Sequence, residues 1–528
     1  MTSKPVATSI THPERGGWRP ALVLTAMALG LQVFLLFHAG GFSSDEAQVI
    51  NLAASHSPGT MTHDSFPILL PLLLSAWAAL DPDGGDPHLR AFGCLVAAGI
   101  AGALWLTVWR ARRSAPWWSL ALFALNGTII FWEEYLRAYG LGTLLILFVM
   151  AAMCFFLERA GWGRAGLLAL ASGLSTQAMF HNAAFVAAIS AGGWLVCWLR
   201  KDRSAALKIL AASVVGAASL LPYAAIISRW QASTAAIRPG FSLLAATNNL
   251  ETLLAFPLPQ YPWLWIILGA ATAGAGIAAW FAAGPAAESA AGRLTEREIR
   301  VFAGGVLVFS IIGYLLFLHH AAMITSPWYF VPLTAVLAIC FDLGLPPAAL
   351  PRLLRPPAVA IIVGTAGVSA VFGVRDLNCR FSNMDLVAEH LKRAISAQDY
   401  VLVTPWYLGV PFQRYYQAAA PWGTIPPMPD YSCARYDLLP ASEEAMARAA
   451  QPVMDHMSRT LREGHNVWVV GWMRVPDRGR TPATPVGRLL IEHSRVFEQV
   501  DLKIKGQTSD YGDFSLLEAS GWKASPSE

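Results

Sequence analysis

Charge is scarce in this chain. Asp, Glu, Lys and Arg make up 14% of its 528 residues, against 55% hydrophobic residues. Soluble domains carry about 25% charged residues, so the deficit excludes an ordinary soluble protein and places most of the chain in lipid. The net charge of +4 is small and dispersed, which leaves no basic surface for nucleic acid. Cysteine is rare too, at six residues, which excludes a disulfide scaffold. Cys94, Cys154, Cys197 and Cys340 fall in apolar runs and read as small buried hydrophobes. Cys379 and Cys433 fall in the polar C-terminal third, where a disulfide is open if that third lies outside the cytoplasm. No Walker-type phosphate loop and no HExxH spacing occur, which argues against an ATP-driven pump and against a zincin-type metal site.

Long apolar runs are what the chain has in quantity. Eleven are long enough to cross a bilayer: 20–38, 89–109, 114–131, 139–157, 164–180, 183–199, 205–227, 262–282, 301–318, 328–345 and 357–374. The first follows Lys4, Arg15 and Arg19 without a convincing small-residue cleavage site, and reads as an uncleaved span. A twelfth stretch, 66–80, is short, carries Pro67 and Pro71 and is bracketed by Asp64 and Asp81. Treating it as interfacial puts Arg110, Arg112, Arg113, Arg159, Arg164, Arg200, Lys201, Arg203, Arg293, Arg297, Arg300, Arg352 and Arg355 on the cytoplasmic side with the N-terminus; treating it as a span would turn them all outward. The positive-inside rule favours the first arrangement.

The expected fold is therefore mainly α: a polytopic membrane helix bundle of about eleven spans plus one interfacial helix, with a small C-terminal α/β soluble domain. The boundaries are a cytoplasmic tail at 1–19, a transmembrane region at 20–374 and an extracytoplasmic region at 375–528. In that last region 384–397 has helical apolar spacing, 400–403 and 467–470 read as buried strands, 495–505 as an edge strand, and the Pro-rich 421–429 as a loop.

The polar residues that lipid does not explain collect on the extracytoplasmic face. Asp45-Glu46 follows the first span, where a carboxylate escapes the cost of the bilayer centre and is placed to act as a base or to orient an acceptor. Glu133, Glu134, Arg137 and Tyr139 precede the fourth span, and an Arg there suits a phosphate. His181, His319 and His320 end later spans, and His56, His63 and Asp64 lie in the first loop. A divalent metal is an alternative for these histidines, but no ligand spacing supports it. The loop 228–261, with Arg229 and Arg238, is long for a connector, and those two arginines are further phosphate ligands. Gly274-Ala275-Gly276-Ile277-Ala278-Ala279 matches a dinucleotide fingerprint, yet it lies inside a span, where small residues pack helices. Asp81-Pro82-Asp83 runs into Gly84-Gly85 and reads as a turn.

The acidic pair after the first span, the stretch His63-Asp64-Ser65-Phe66-Pro67-Ile68-Leu69-Leu70-Pro71, and Arg137-Ala138-Tyr139 opening the fourth span resemble the C-fold membrane glycosyltransferases, over roughly 20–375. The nearest group is the protein mannosyltransferase-like family, which includes aminoarabinose and galacturonosyl transferases. The resemblance implies a polyprenyl-phosphate sugar donor, an extracytoplasmic acceptor, inversion at the sugar carbon and no required cofactor. It makes Asp45 the catalytic base and Glu46 its neighbour in the acceptor site. It puts Arg137 and Glu134 near the donor phosphate and likens His181 to a histidine at a later span end. Tyr329-Phe330-Val331-Pro332 is similar to a family span opening, with Trp328 where the family usually has Arg. Two alternatives remain open from sequence. One is a polysaccharide polymerase or ligase using a lipid-pyrophosphate glycan, and the other is a lipid or sugar transporter. Charges at span ends and the lack of an internal repeat count against the transporter.

Overall fold

The computed structural model describes residues 18–62, 64–226, 228, 240–282, 293–440, 442–472, 485–502, 507–509 and 513–521. Among the described residues nine helices are long and apolar enough to cross a membrane. They match nine of the eleven expected runs. The other two runs are helical as well. Residues 164–180 form a helix, Trp162–Ala178, of 17 residues, about 26 Å at 1.5 Å per residue.

The run 114–131 is broken. A π-helical stretch, Ser119–Ala124, gives way to a helix at Gly127–Glu134. Both starts leave backbone donors that lipid cannot satisfy, and buried side chains take them. Asp342 accepts from the Trp118 and Ser119 N–H groups, each at 2.9 Å, and from Ser119 Oγ at 2.7 Å. Asn126 Oδ1 accepts from the Ile129 N–H at 3.1 Å, while Asn126 Nδ2 donates to Leu253 O at 3.0 Å.

In chain order the elements before the C-terminal region are α1 (Trp18–His38), α2 (Ser44–Ala54), α3 (Pro58–Met61), α4 (Leu69–Ala78), α5 (Gly85–Arg112), α6 (Gly127–Glu134), α7 (Ala138–Glu158), α8 (Trp162–Ala178), α9 (Asn182–Arg200), α10 (Arg203–Ala218), α11 (Leu243–Leu254), α12 (Tyr261–Phe281), α13 (Glu296–His320), α14 (Val331–Gly344) and α15 (Arg355–Asp376). The stretch 66–80 yields α4, whose 10 residues reach about 15 Å, half a hydrocarbon core. The loop 228–261 contains α11, fastened by Asn249 Nδ2 to Thr325 O at 2.8 Å.

The two ends of the bundle differ in chemistry. At one end buried or half-buried ion pairs join neighbouring helices: Arg110 with Glu158, Arg112 with Glu296 and Arg200 with Glu298. At the other lie the end of α1, the start of α7, the start of α9 and the described residues after α15. The small residues within α12 pack helices, as the sequence predicts. A Cβ on Gly276 would stand 3.0 Å from Gly304 Cα of α13, so α12 and α13 meet backbone to backbone.

After Asp376 the composition turns mixed and a five-stranded sheet forms in the order β3-β2-β4-β7-β5. Its strands are β2 (Tyr400–Thr404), β3 (Trp422–Thr424), β4 (Asn466–Gly471), β5 (Ser494–Gln499) and β7 (Ser515–Gly521), with β1 (Cys379–Arg380) and β6 (Gln507–Thr508) paired separately. The sheet is covered on both faces. One face packs Met384, Val387 and Leu391 of α16 (Met384–Ala394) and Phe412 of α17 (Gly409–Tyr415) on Val401, Val403, Trp468 and Val470. The other packs α18 (Glu443–Arg462) and α19 (Pro485–His493) on Leu402, Val467, Val469 and Leu517. The expected loop 421–429 is corrected in part: Trp422–Thr424 pairs in parallel with Val401–Val403 as an edge strand. Cys379 and Cys433 are free thiols.

Candidate active site

The chain leaves α1 through Gly40-Gly41 and enters α2 at a capping box. Ser43 Oγ accepts from the Glu46 N–H at 3.3 Å, and Glu46 Oε2 accepts from the Ser43 N–H at 3.0 Å. Successive helical residues step by about 100°, so the two acidic side chains diverge. The Asp45 side chain is 43% exposed, whereas Glu46 is fully buried. Arg90 Nη1 meets Glu46 Oε1 at 3.1 Å, and the Leu136 N–H donates to the same oxygen at 3.2 Å. The rest of the Arg90 guanidinium donates to Gly40 O and Gly41 O, and its plane lies over Phe42 and Phe381. Burial raises the Glu46 carboxyl above its ordinary value, and Arg90 with the Ser43 and Leu136 N–H groups opposes the shift. Glu46 therefore ties α2, α5 and the turn before α7 together, and Asp45 alone of the pair faces solvent.

Arg137 is the hub on the Asp45 side. It precedes α7, is buried, and lies over the Phe66 ring at 5.1 Å. Its Nη1 donates to Asp64 Oδ1 at 2.9 Å and its Nη2 to Ser65 Oγ at 3.2 Å. Its Nε stands 3.6 Å from Asp45 Oδ2, an ion pair too long for a hydrogen bond. Nε is the one guanidinium nitrogen without a hydrogen-bond partner. Asp64 Oδ1 also accepts from Gln48 Nε2 at 2.9 Å. The hub is thus a cation between an exposed carboxylate and a buried one, with one buried donor, Nε, left without a hydrogen bond.

The remaining sequence candidates scatter. Glu134 is buried, with Arg90 and Glu46 as charged neighbours. Glu133 pairs with Gln32 Nε2 at 3.0 Å inside the bundle. Tyr139 is buried edge-on to Phe66 and Tyr329 and forms part of the wall behind Arg137. His181 is enclosed by Phe66, Tyr314, Phe317 and Tyr329, with Nε2 at 3.2 Å from Met323 Sδ. Burial lowers its pKa to about 4, so it has no positive charge to offer a phosphate at neutral pH. His319 packs edge-on against Phe241 at 5.7 Å. Arg229, Arg238 and His63 lie outside the described residues. Among the described residues no three His, Cys, Asp or Glu side chains converge to hold a metal ion.

No family model and no curated protein matches the sequence. Solved structures do. ArnT from Cupriavidus metallidurans bound to undecaprenyl phosphate is similar over 96% of this chain and 98% of its own, at 13% identity and a TM-score of 0.52. Its apo state gives 12% identity and a TM-score of 0.54 over the same shares. The chain has the GT-C fold. A more distant likeness, at 9% identity and a TM-score of 0.48, is to an Archaeoglobus fulgidus oligosaccharyltransferase in complex with Zn and sulfate, over 85% of this chain and 67% of that one. Within this GT-C chain, Arg90, the partner of Glu46, and Gln48, the partner of Asp64, carry no motif of their own. Arg90 had one available signal, as a lone cation just inside the second span. Asp64, by contrast, lies within the Pro-containing stretch that carries the resemblance.

Proposed function

We propose that this protein is an integral membrane glycosyltransferase that moves a sugar from a polyprenyl-phosphate donor to an acceptor hydroxyl outside the cytoplasm, with inversion. The observation that carries the proposal is the exposed Asp45 carboxylate held beside buried Arg137 at one end of a GT-C bundle. The positive-inside count supports an extracytoplasmic site and a cytoplasmic N-terminus. The ArnT structure bound to undecaprenyl phosphate supports a lipid-phosphate donor.

Asp45 takes the proton of the acceptor hydroxyl as that oxygen bonds to the sugar C1. The bond from C1 to the phosphate oxygen breaks on the opposite face, and its electron pair leaves with the polyprenyl phosphate. Asp45 then returns the proton to solvent. Arg137 orients Asp45, and its positive charge stabilises the phosphate, where charge grows during departure. Glu46 holds the helix that carries Asp45 and does not touch substrate. The scheme needs no cofactor, because a monophosphate leaves as a stabilised anion.

Arg137 has a separable test. A hydrogen bond to a charged group contributes about 1.5–3 kcal/mol. Arg137→Gln is therefore expected to weaken binding of undecaprenyl phosphate to the detergent-solubilised protein by about 10- to 150-fold. Unchanged affinity in a variant that elutes and melts like the parent would remove Arg137 from the phosphate role.

A further inference from the structure

The region after α15 does more than follow the bundle; it holds α2 at its entry and again one turn in. Before the helix, the Phe381 N–H donates to Ala39 O at 2.7 Å, and Ser382 bridges to Gly40 and Gly41. At its entry, the Phe42 N–H donates to Tyr415 Oη at 2.7 Å. The same hydroxyl donates to Asp86 Oδ2 at 2.6 Å, and Arg414 Nη2 donates to Asp86 Oδ1 at 2.6 Å. One turn into α2, the Ala434 N–H donates to Gln48 Oε1 at 2.9 Å. Gln48 Nε2 in turn donates to Asp64, the carboxylate on Arg137. Asp45 lies between these two fixed points, three residues from each.

We infer that the C-terminal α/β region is part of the catalytic unit, with Tyr415 and Gln48 as positioning residues that set α2 and, through it, Asp45. Both act through other groups. Tyr415 fixes the backbone where the capping box begins, and Gln48 couples the 433–434 backbone to the Asp64–Arg137 pair. Gln48 is buried and both ends of its amide are used, which fits a coupling role better than a surface contact. A displacement of about 1 Å at a reacting group costs on the order of 100-fold in rate, so small shifts of α2 matter. The inference rests on the base role proposed for Asp45.

Tyr415→Phe removes a single oxygen. It is expected to lower kcat about 10- to 100-fold while the donor KM and the melting temperature stay near those of the parent. Gln48→Leu is expected to lower kcat and also raise the donor KM, because Asp64 loses a donor. In the Asp45→Asn background Tyr415→Phe is expected to cause no further loss, since the position of an absent base no longer counts. Wild-type kcat in Tyr415→Phe, or the same fold-loss in the Asp45→Asn background, overturns the inference. Amide hydrogen exchange across 42–50 decides the point independently of transfer, with faster exchange in both variants expected. If the parent transfers no sugar, the functional reading fails by itself, and unchanged exchange across 42–50 would still sink the positioning role.

Discussion

Asp45→Asn is expected to lower sugar transfer by about 10²–10⁴-fold, the usual contribution of a general base, with the protein still folded and still binding lipid phosphate. The expectation follows from where Asp45 sits. Its side chain is 43% exposed, and among the described residues its charged contact is Arg137 at 3.6 Å. Asn keeps the size and the ability to accept a hydrogen bond, but it cannot take a proton. Arg137 keeps its buried ion pair with Asp64 at 2.9 Å in the variant, so the fold is expected to hold and a loss of transfer would report chemistry. Affinity for undecaprenyl phosphate should hold or improve, because one negative charge beside the phosphate is gone. Initial rates at saturating donor, set beside binding isotherms, separate the two quantities.

Arg90→Met has the largest expected effect on stability. It leaves Glu46 fully buried with its cation gone, and it strips Gly40 O and Gly41 O of their donors. Breaking a buried ion pair on one side costs about 3–5 kcal/mol. A lower melting temperature in detergent and a loss of monodisperse protein are the readouts. Adding Glu46→Gln to Arg90→Met should recover part of the loss, because no uncompensated charge then remains. A variant Arg90→Met as stable as the parent would show that this pair does not hold the loop after α1. Contrasting outcomes for neighbouring residues would also separate the acidic pair: Asp45 through rate, Glu46 through stability.

The spans were readable because bilayer thickness imposes a length and a composition on each crossing, and the apolar runs carry both. The acidic pair was readable as an anomaly for the same reason. Its division of labour was also within reach, since adjacent helical residues face different ways. The partners were not. Arg90 reaches Glu46 across 44 residues, and Tyr415 reaches Phe42 across 373. Contacts at such separations are set by how helices pack, for which a single sequence has no periodic signal. The break in the third crossing is of the same kind. Nothing within 114–131 shows that Asp342 will cap it, because the cap comes from 223 residues away. Strand β3 escaped for another reason: three residues among prolines become a strand only because β2 offers them an edge. The surroundings of His181 were equally hidden. Its place at a span end gives no sign of the four aromatic rings that pack against it.

The most direct test of the account is transfer itself, measured with purified protein in detergent, where no sealed compartment exists for a transporter to act across. Labelled polyprenyl-phosphate sugars extracted from membranes, supplied with envelope lipids as acceptors, should yield a labelled glycolipid and an equal amount of free polyprenyl phosphate. The Asp45→Asn protein, equally folded, should yield neither above about one-hundredth of the parent rate. Binding of the labelled lipid without product from the parent, or equal product from parent and variant, would contradict the assignment of Asp45 as the base of a membrane glycosyltransferase.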